Sequence, residues 1–488
     1  MLIKNIILFC EKSICYIFCI LITYILIINI NVDSGISYNH IFICSVIFPL
    51  FIISFPRIRE ELKKIVNFIF INKKIIIAIF ILGIILRALP VLCDFTWTLI
   101  DNQGDCAIHF FGSQQIAFDG FLNDINARYE AIFVQLYSYT LTLSLFVKIF
   151  KDITTAIVVS NILFDTISMI FLLKLLTSAK KNGYIGVLLW SLNPFFIVMC
   201  WFPMAVVVVN TILIVSISLG YWLLKRISEK KFPVVLAASF GFSIFLGNLF
   251  RPLFYVLLIA EIITLILHSF SNTENLKKTI IVVLISTIFA LVPGKIYYNQ
   301  LTSVGNYDVP DSKAGWNFFV GANFESHGKW TPEDNYYFWC ELIPQMTPSE
   351  AEKLLFEQGI ERYKTIGFEN IFTHITNKLT VLFADVGNSI RDLKWTFLIS
   401  ESAYNFLSDF LTIYYLFLVL CVFVMSVRNM QLNRLVGAEF LAKLTFIGFS
   451  MAYMLVEVMN RYSSMLIALL IVIIVMLTCD KVSNPNKN

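Results

Sequence analysis

The sequence predicts an all-α polytopic membrane protein whose one long polar stretch forms a small extracytoplasmic α-containing subdomain. Three observations predict it. Hydrophobic residues make up 58% of the 488-residue chain and charged residues 14%, with a mean hydropathy of +0.78, a balance no soluble globular protein has. Apolar runs of about 17 to 25 residues, enough to cross roughly 30 Å of hydrocarbon, recur along almost the whole chain. Lys and Arg gather between alternate runs, as they do on the cytoplasmic side of membrane proteins. The formal charge of +4 is small and dispersed, which argues against a nucleic-acid partner.

Residues 1–74 read as two N-terminal transmembrane helices and a basic cytoplasmic loop. Lys4, Glu11 and Lys12 precede an apolar run near 14–30, and without a small-residue cleavage site after it the run reads as a retained signal anchor. A second run lies near 39–55, and Arg57, Arg59, Lys63, Lys64, Lys73 and Lys74 follow it.

Residues 75–298 read as the core transmembrane module. Its apolar runs fall near 75–93, 131–149, 154–173, 184–200, 203–224, 233–250, 252–268 and 279–297, and its first outer loop spans 94–130. The basic clusters Lys174/Lys180/Lys181, Lys225/Arg226/Lys230/Lys231 and Lys277/Lys278 mark the inner side. Parity then conflicts at one place: passing from the outer 94–130 loop to Lys174 needs an odd number of crossings, and 131–149 with 154–173 makes two. Gln135, Ser138, Thr140, Thr142 and Ser144 make 131–149 polar for a span and favour a partial or re-entrant element buried in protein. The alternative puts the lysines near 174–181 outside.

Residues 299–394 are the extracytoplasmic subdomain. Thr347-Pro348-Ser349-Glu350 reads as N-cap, N1 proline and N3 glutamate of a helix that Gly359 stops. The stretch 368–383 is amphipathic and reads as a helix lying along the membrane surface. Residues 395–488 supply the last spans, near 405–427, 436–456 and 461–479.

The first outer loop holds Asp94, Asp101, Asp105, Asp119, Asp124 and Glu130 beside the membrane. A carboxylate between an aqueous cavity and lipid can serve as general base toward a hydroxyl. Asp105 also begins an apparent short interfacial helix, so the competing reading is a helix cap. Arg251 in GNLFRP and Glu457 and Arg461 in EVMNRY sit at membrane edges, where charge is costly and marks function. Arginine suits phosphate recognition; interfacial anchoring, or an i,i+4 pair of Glu457 with Arg461, is the plain alternative. Arg87 and Asp165 are deep enough to pair for structural reasons alone. Ten cysteines are scattered without metal or redox spacing, and a bridge between Cys106 and Cys340 is left open. The sequence carries no nucleotide-binding or zinc motif.

QGDCAIHFFGSQQIAFDG (103–120), YEAIFVQLYSYTLTLSLFVKIF (129–150), LLWSLNPFFIVMCWFP (188–203), GNLFRP (247–252), GWNFFVGANFESHGKWTPED (315–334) and EVMNRY (457–462), in that order and spacing, resemble the GT-C superfamily of integral-membrane glycosyltransferases, specifically its family 39-like group. The resemblance covers about residues 75 to 479. It implies a bundle of about 11–13 transmembrane helices in a bacterial plasma membrane, and an inverting hexosyl- or pentosyltransferase with its active site outside. Its donor would be a polyprenyl-phosphate-linked sugar, its acceptor a cell-envelope glycan, lipid or protein. By the resemblance Asp105 is the catalytic aspartate, with Asp101 in reserve. Arg251 and Arg461, with Lys329 or Lys378, bind the donor lipid phosphate, and His109, Asn248, Glu457 and Tyr462 line the substrate cavity. No soluble cofactor is required; a divalent metal is left open. One departure is VVVVN (206–210), which offers only Asn210 where the family often has an acid. The competing function is a lipid-linked glycan flippase or secondary transporter.

Overall fold

The computed structural model describes residues 2–31, 73–93, 104–229, 231–270, 276–304, 310, 314–384, 386–391, 393, 399–429 and 437–478. The expected span near 39–55, the basic loop after it, Asp94 and Asp101 lie outside the described residues. Among the described residues all regular structure is helical, and eight helices are long and apolar enough to cross a membrane. The chain is a multi-pass membrane protein.

The helices, in order, are α1 (Leu2–Asn31), α2 (Lys73–Leu92), α3 (Asp105–Phe118), α4 (Asp124–Ile132), α5 (Val134–Phe150), α6 (Ile153–Ser178), α7 (Gly183–Ser191), α8 (Pro194–Met199) and α9 (Val206–Ser228). There follow α10 (Val234–Phe250), α11 (Tyr255–Phe270), α12 (Leu276–Val304), α13 (Ala314–Gly321), α14 (Pro332–Tyr336), α15 (Pro348–Phe383), α16 (Glu401–Asn429), α17 (Ala438–Leu455) and α18 (Ser463–Leu477). Every residue of α18 is buried. A helix apolar all round belongs inside other helices, and α18 forms the axis of the bundle.

Side-chain bonds fix the direction of the helices. Asn161 of α6 donates to the Phe202 carbonyl at 2.9 Å, Ser168 meets Thr211 at 2.8 Å, and Trp222 Nε1 donates to Ser178 Oγ at 2.9 Å. Helices α6 and α9 therefore run parallel and bring Ser178 and Lys225 to one end. Lys181 Nζ donates to the Thr478 carbonyl at 2.6 Å, so α18 finishes at that end too. Ser228 meets His268 at 2.8 Å, which adds the end of α11. This is the lysine end of the bundle.

Two α6/α9 neighbours close the parity conflict. Helix α5 starts beside Glu130 and passes through Lys151, in the left-handed region at φ 60°, into Asp152, the N-cap of α6. That junction is at the end of α6 opposite Ser178, so α5 adds no crossing to the lysine end. The run 184–200, expected as one span, is instead broken. Asn193 caps α8 by accepting from Phe195 N at 2.9 Å and Pro194 takes the first helical position, so the chain returns from the lysine end as two half-helices. A break inside a membrane strands carbonyl groups. Arg87 answers them, donating to Ser191 O at 2.8 Å and Trp190 O at 3.2 Å. Asp165 holds the Arg87 Nε at 2.8 Å and accepts from Trp190 Nε1 at 2.7 Å.

At the end opposite the lysines, α13 to α15 form the subdomain. Trp316, Phe319, Phe338 and Leu355 share its core with Ile132 and Phe133, and Tyr129 stacks on Trp339 at 5.3 Å. The 94–130 and 299–394 regions thus meet at one end. The Thr347/Glu350 capping box and Pro348 start α15 as expected. Gly359 does not stop it: a Cβ there would lie 2.7 Å from a Phe318 ring carbon, so this glycine serves close packing of α13 on α15. The helix bends at Gly367, where φ is 70°. Beyond the bend Phe368 and Phe372 are exposed, whereas Leu379, Leu382 and Phe383 enter the main core. Cys106 and Cys340 are free thiols.

Candidate functional site at the non-lysine end of the bundle

The end opposite the lysines gathers the ends of four separate helices. Asp105 opens α3, Arg251 follows α10 as its C-cap, Tyr453 is near the end of α17, and Arg461 and Tyr462 form the turn before α18. Arg461 donates to Asp105 Oδ2 at 2.7 Å across 356 residues of sequence, both side chains being about a quarter exposed. Asp105 lies in the first turn of α3, where the helix dipole favours a carboxylate. The cap position itself is Gly104, at φ 108° and without a side-chain cap bond, so Asp105 is not the cap that the alternative reading required.

Arg251 lies over the Tyr462 ring at 3.6 Å and within 5.8 Å of Tyr453. The two tyrosines stack on each other at 5.5 Å. Such stacking holds a guanidinium flat while leaving its edge for an anion. Gly247 makes the turn that places Arg251, since a Cβ there would lie 2.3 Å from the Phe254 ring. Asn248, expected in the cavity, is buried and accepts from Phe254 N at 3.0 Å. It holds the same turn.

Glu457 lies in an extended strip between α17 and α18. Its N–H donates to Asn317 O at 2.7 Å, and Val458 N donates to Gly328 O at 2.9 Å, so the subdomain fixes the strip above the bundle. Arg461, in the turn that follows the strip, pairs with Asp105. Lys378, expected at the lipid phosphate, is buried and donates to Gly321 O at 2.7 Å and Tyr363 OH at 3.3 Å. Burial pulls its ammonium down to about 7, against the opposing pull of Glu457. With Tyr363, whose hydroxyl donates to Leu455 O at 2.7 Å, Lys378 braces the subdomain against α17. Lys329 is exposed, on a turn where its carbonyl accepts from Ser326 Oγ at 2.8 Å; no described contact brings its side chain to Asp105.

His109 sits one turn after Asp105 and is buried. Its Nδ1 lies 2.9 Å from Thr140 Oγ1, which lies 2.6 Å from Glu130 Oε1, and its ring meets Tyr139 edge-on at 4.8 Å. Burial pulls the imidazole down to about 4, against the pull of Asp105, so it is neutral at pH 7. Burial pushes Glu130 up to about 8, partly offset by the Thr140 bond. Tyr129, in the same cluster, has its phenol held well above the ordinary range by burial and then by Asp105 and Glu457.

No protein-family model, curated protein or solved structure matches this chain. The chemistry therefore rests on the site's own geometry. Among the residues expected from sequence, Asp105, Arg461, Arg251, Tyr462, His109 and Glu457 come together here, with Asn248 holding the turn beside Arg251 and Lys378 buried on Gly321 O within reach of the Glu457 charge; Lys329 is exposed on its turn. Asp101 lies outside the described residues. Sequence reasoning missed Tyr129, Thr140 and Tyr453, and treated Glu130 as one loop acid among several. The one signal available was the polar run around Thr140. Among the described residues no three His, Cys, Asp or Glu side chains are grouped to hold a metal ion.

Proposed function

We propose that the protein is an inverting membrane glycosyltransferase of the GT-C type. In this reading it transfers a sugar from a polyprenyl-phosphate donor to a cell-envelope acceptor on the extracytoplasmic face of a bacterial plasma membrane. The observation that carries the reading is the Asp105–Arg461 pair beside the stacked Arg251, a carboxylate and two guanidinium groups at one membrane-edge site. The lysine clusters at the other end favour an extracytoplasmic site.

Asp105 takes the proton of the acceptor hydroxyl as its oxygen bonds to the anomeric carbon. The bond from that carbon to the phosphate oxygen breaks, and the lipid phosphate leaves with the electron pair. Arg251 faces the developing phosphate charge. Arg461 holds Asp105 in place and adds positive potential. A transporter reading draws on the broken α7–α8 helix, since discontinuous helices and intramembrane charges mark transport sites. There the charges close on each other and on the broken helix's own carbonyls, which favours a structural use.

Membranes containing the protein, incubated with a panel of polyprenyl-phosphate sugars, should release polyprenyl phosphate with one of them, and Asp105→Asn should abolish most of that release. Movement of an intact lipid-linked sugar across vesicles without cleavage would overturn the transferase reading. Thiol labelling of Gln345→Cys and Ser228→Cys tests sidedness: reaction of both from the same side would remove the assigned topology.

A further inference from the structure

Behind Asp105 lies a hydrogen-bond chain that the transfer step does not use. Glu130 Oε1, Thr140 Oγ1 and His109 Nδ1 follow one another at 2.6 and 2.9 Å, and all three residues are at most 2% exposed. The middle member is a hydroxyl with one hydrogen. It cannot donate to both neighbours at once. With Glu130 protonated, Glu130 donates to Thr140, Thr140 donates to Nδ1, and the neutral imidazole carries its hydrogen on Nε2. With Glu130 ionised, Thr140 donates to the carboxylate, Nδ1–H donates to Thr140, and Nε2 is a bare lone pair. The competing acceptor for the Thr140 hydrogen is the Leu136 carbonyl, at the longer distance of 3.2 Å.

We propose that Glu130 and Thr140 are positioning residues that set which nitrogen of His109 carries the proton. Nε2 then carries an N–H donor when Glu130 is protonated and a lone pair when it is ionised, on a ring close enough to Asp105 and Arg461 to feel their charges. The use of this chain in transfer rests on the glycosyltransferase reading; the coupling itself does not. An N–H donor complements the Asp105 carboxylate and sugar hydroxyls, and a lone pair opposes the carboxylate.

The surroundings suit such a device. Glu130 is faced by the phenols of Tyr137 on α5 and Tyr297 on α12, and by Gly112 on α3. His109 is faced by Asp105 and Arg461, which pair with each other, and by Tyr139. With Glu130 at about 8 and His109 at about 4, mildly alkaline pH ionises the carboxyl while the imidazole stays neutral throughout. The tautomer changes and the charge of the ring does not.

The test uses the full-length protein in lipid, labelled with 15N at its five histidines, with the His109 signals identified by their loss in His109→Asn. At neutral pH the ring should carry its hydrogen on Nε2, and it should switch to Nδ1 as pH rises through the mildly alkaline range. Glu130→Gln should hold one tautomer over the whole range, and Thr140→Val, which keeps the shape and removes the hydroxyl, should also lose the switch. In transfer assays the wild type should lose about tenfold per pH unit above the ionisation of Glu130, and Glu130→Gln should have no such alkaline limb. If Glu130→Gln does not fold, Thr140→Val and the wild-type titration still decide the matter. An Nδ1–H tautomer at every pH, with Thr140 donating to Glu130 or Leu136 throughout, or an unchanged switch in Thr140→Val, would overturn the proposal. A clear switch in a protein that transfers no sugar would leave the coupling standing and remove the glycosyltransferase reading.

Discussion

Arg87–Asp165 and Arg461–Asp105 join the same residue types at nearly the same distance, 2.8 and 2.7 Å. Their settings differ. Arg87 is fully buried, and its other nitrogens go to Gly83 O, Ser191 O and Trp190 O, so its charge is consumed in repairing a broken helix. Arg461 and Asp105 stay partly exposed at the rim of the bundle, next to a second guanidinium stacked on tyrosines. A short ion pair is therefore no evidence of function; what separates the two is access.

The largest expected effect tests the buried pair. Arg87→Leu leaves Asp165 buried without its partner, at a cost of about 3–5 kcal/mol, and should abolish the monodisperse peak in detergent size-exclusion chromatography. Arg87→Leu with Asp165→Leu should recover only part of it, because Trp190 O and Ser191 O still lack donors. At the rim the outcome should invert. Asp105→Asn should give a wild-type elution profile with transfer reduced about 10²-fold or more, the scale of general-base catalysis. Near-normal transfer, with Asp101→Asn inactive, would move the role to Asp101; loss of the folded peak would make the two pairs alike and break the contrast.

A smaller effect sharpens the rim. Arg251→Ala removes a cation–π contact of about 0.5–2 kcal/mol and should raise the donor KM by about two- to thirty-fold. Arg251→Lys should recover part of this, since charge returns and planar stacking does not. The smallest belongs to the subdomain: Thr347→Ala breaks the capping box at a cost of about 1 kcal/mol. It should lower the thermal midpoint by a few degrees while leaving kcat unchanged.

Apolar runs made the spans readable, because lipid demands unbroken stretches of hydrophobic side chains. Segment 184–200 was harder: its flanks are apolar enough to span, while the break lies at Asn193-Pro194, inside the proline-containing hairpin that the sequence offers at 188–203. The membrane-edge position of Asp105, Arg251 and Arg461 was legible from the cost of charge near hydrocarbon. Their meeting was not, since it depends on the order of helices around α18. Lys378 shows the opposite failure, a cation in a polar segment that folding turns inward to Gly321 O. Thr140 gave no signal of its own because its importance lies in having Glu130 on one side and His109 on the other, residues set ten before and thirty-one before it in the chain.

Helix α18, buried along its whole length, has a consequence for how the protein is made. Every other described helix precedes it in the chain and so leaves the ribosome first. Until α18 arrives, Lys181 has no Thr478 carbonyl to bind and Asp105 has no Arg461 beside it. The site is therefore complete only in the same event that closes the bundle. Arrival of α18 is in this way the step that brings Arg461 to Asp105 and Thr478 to Lys181.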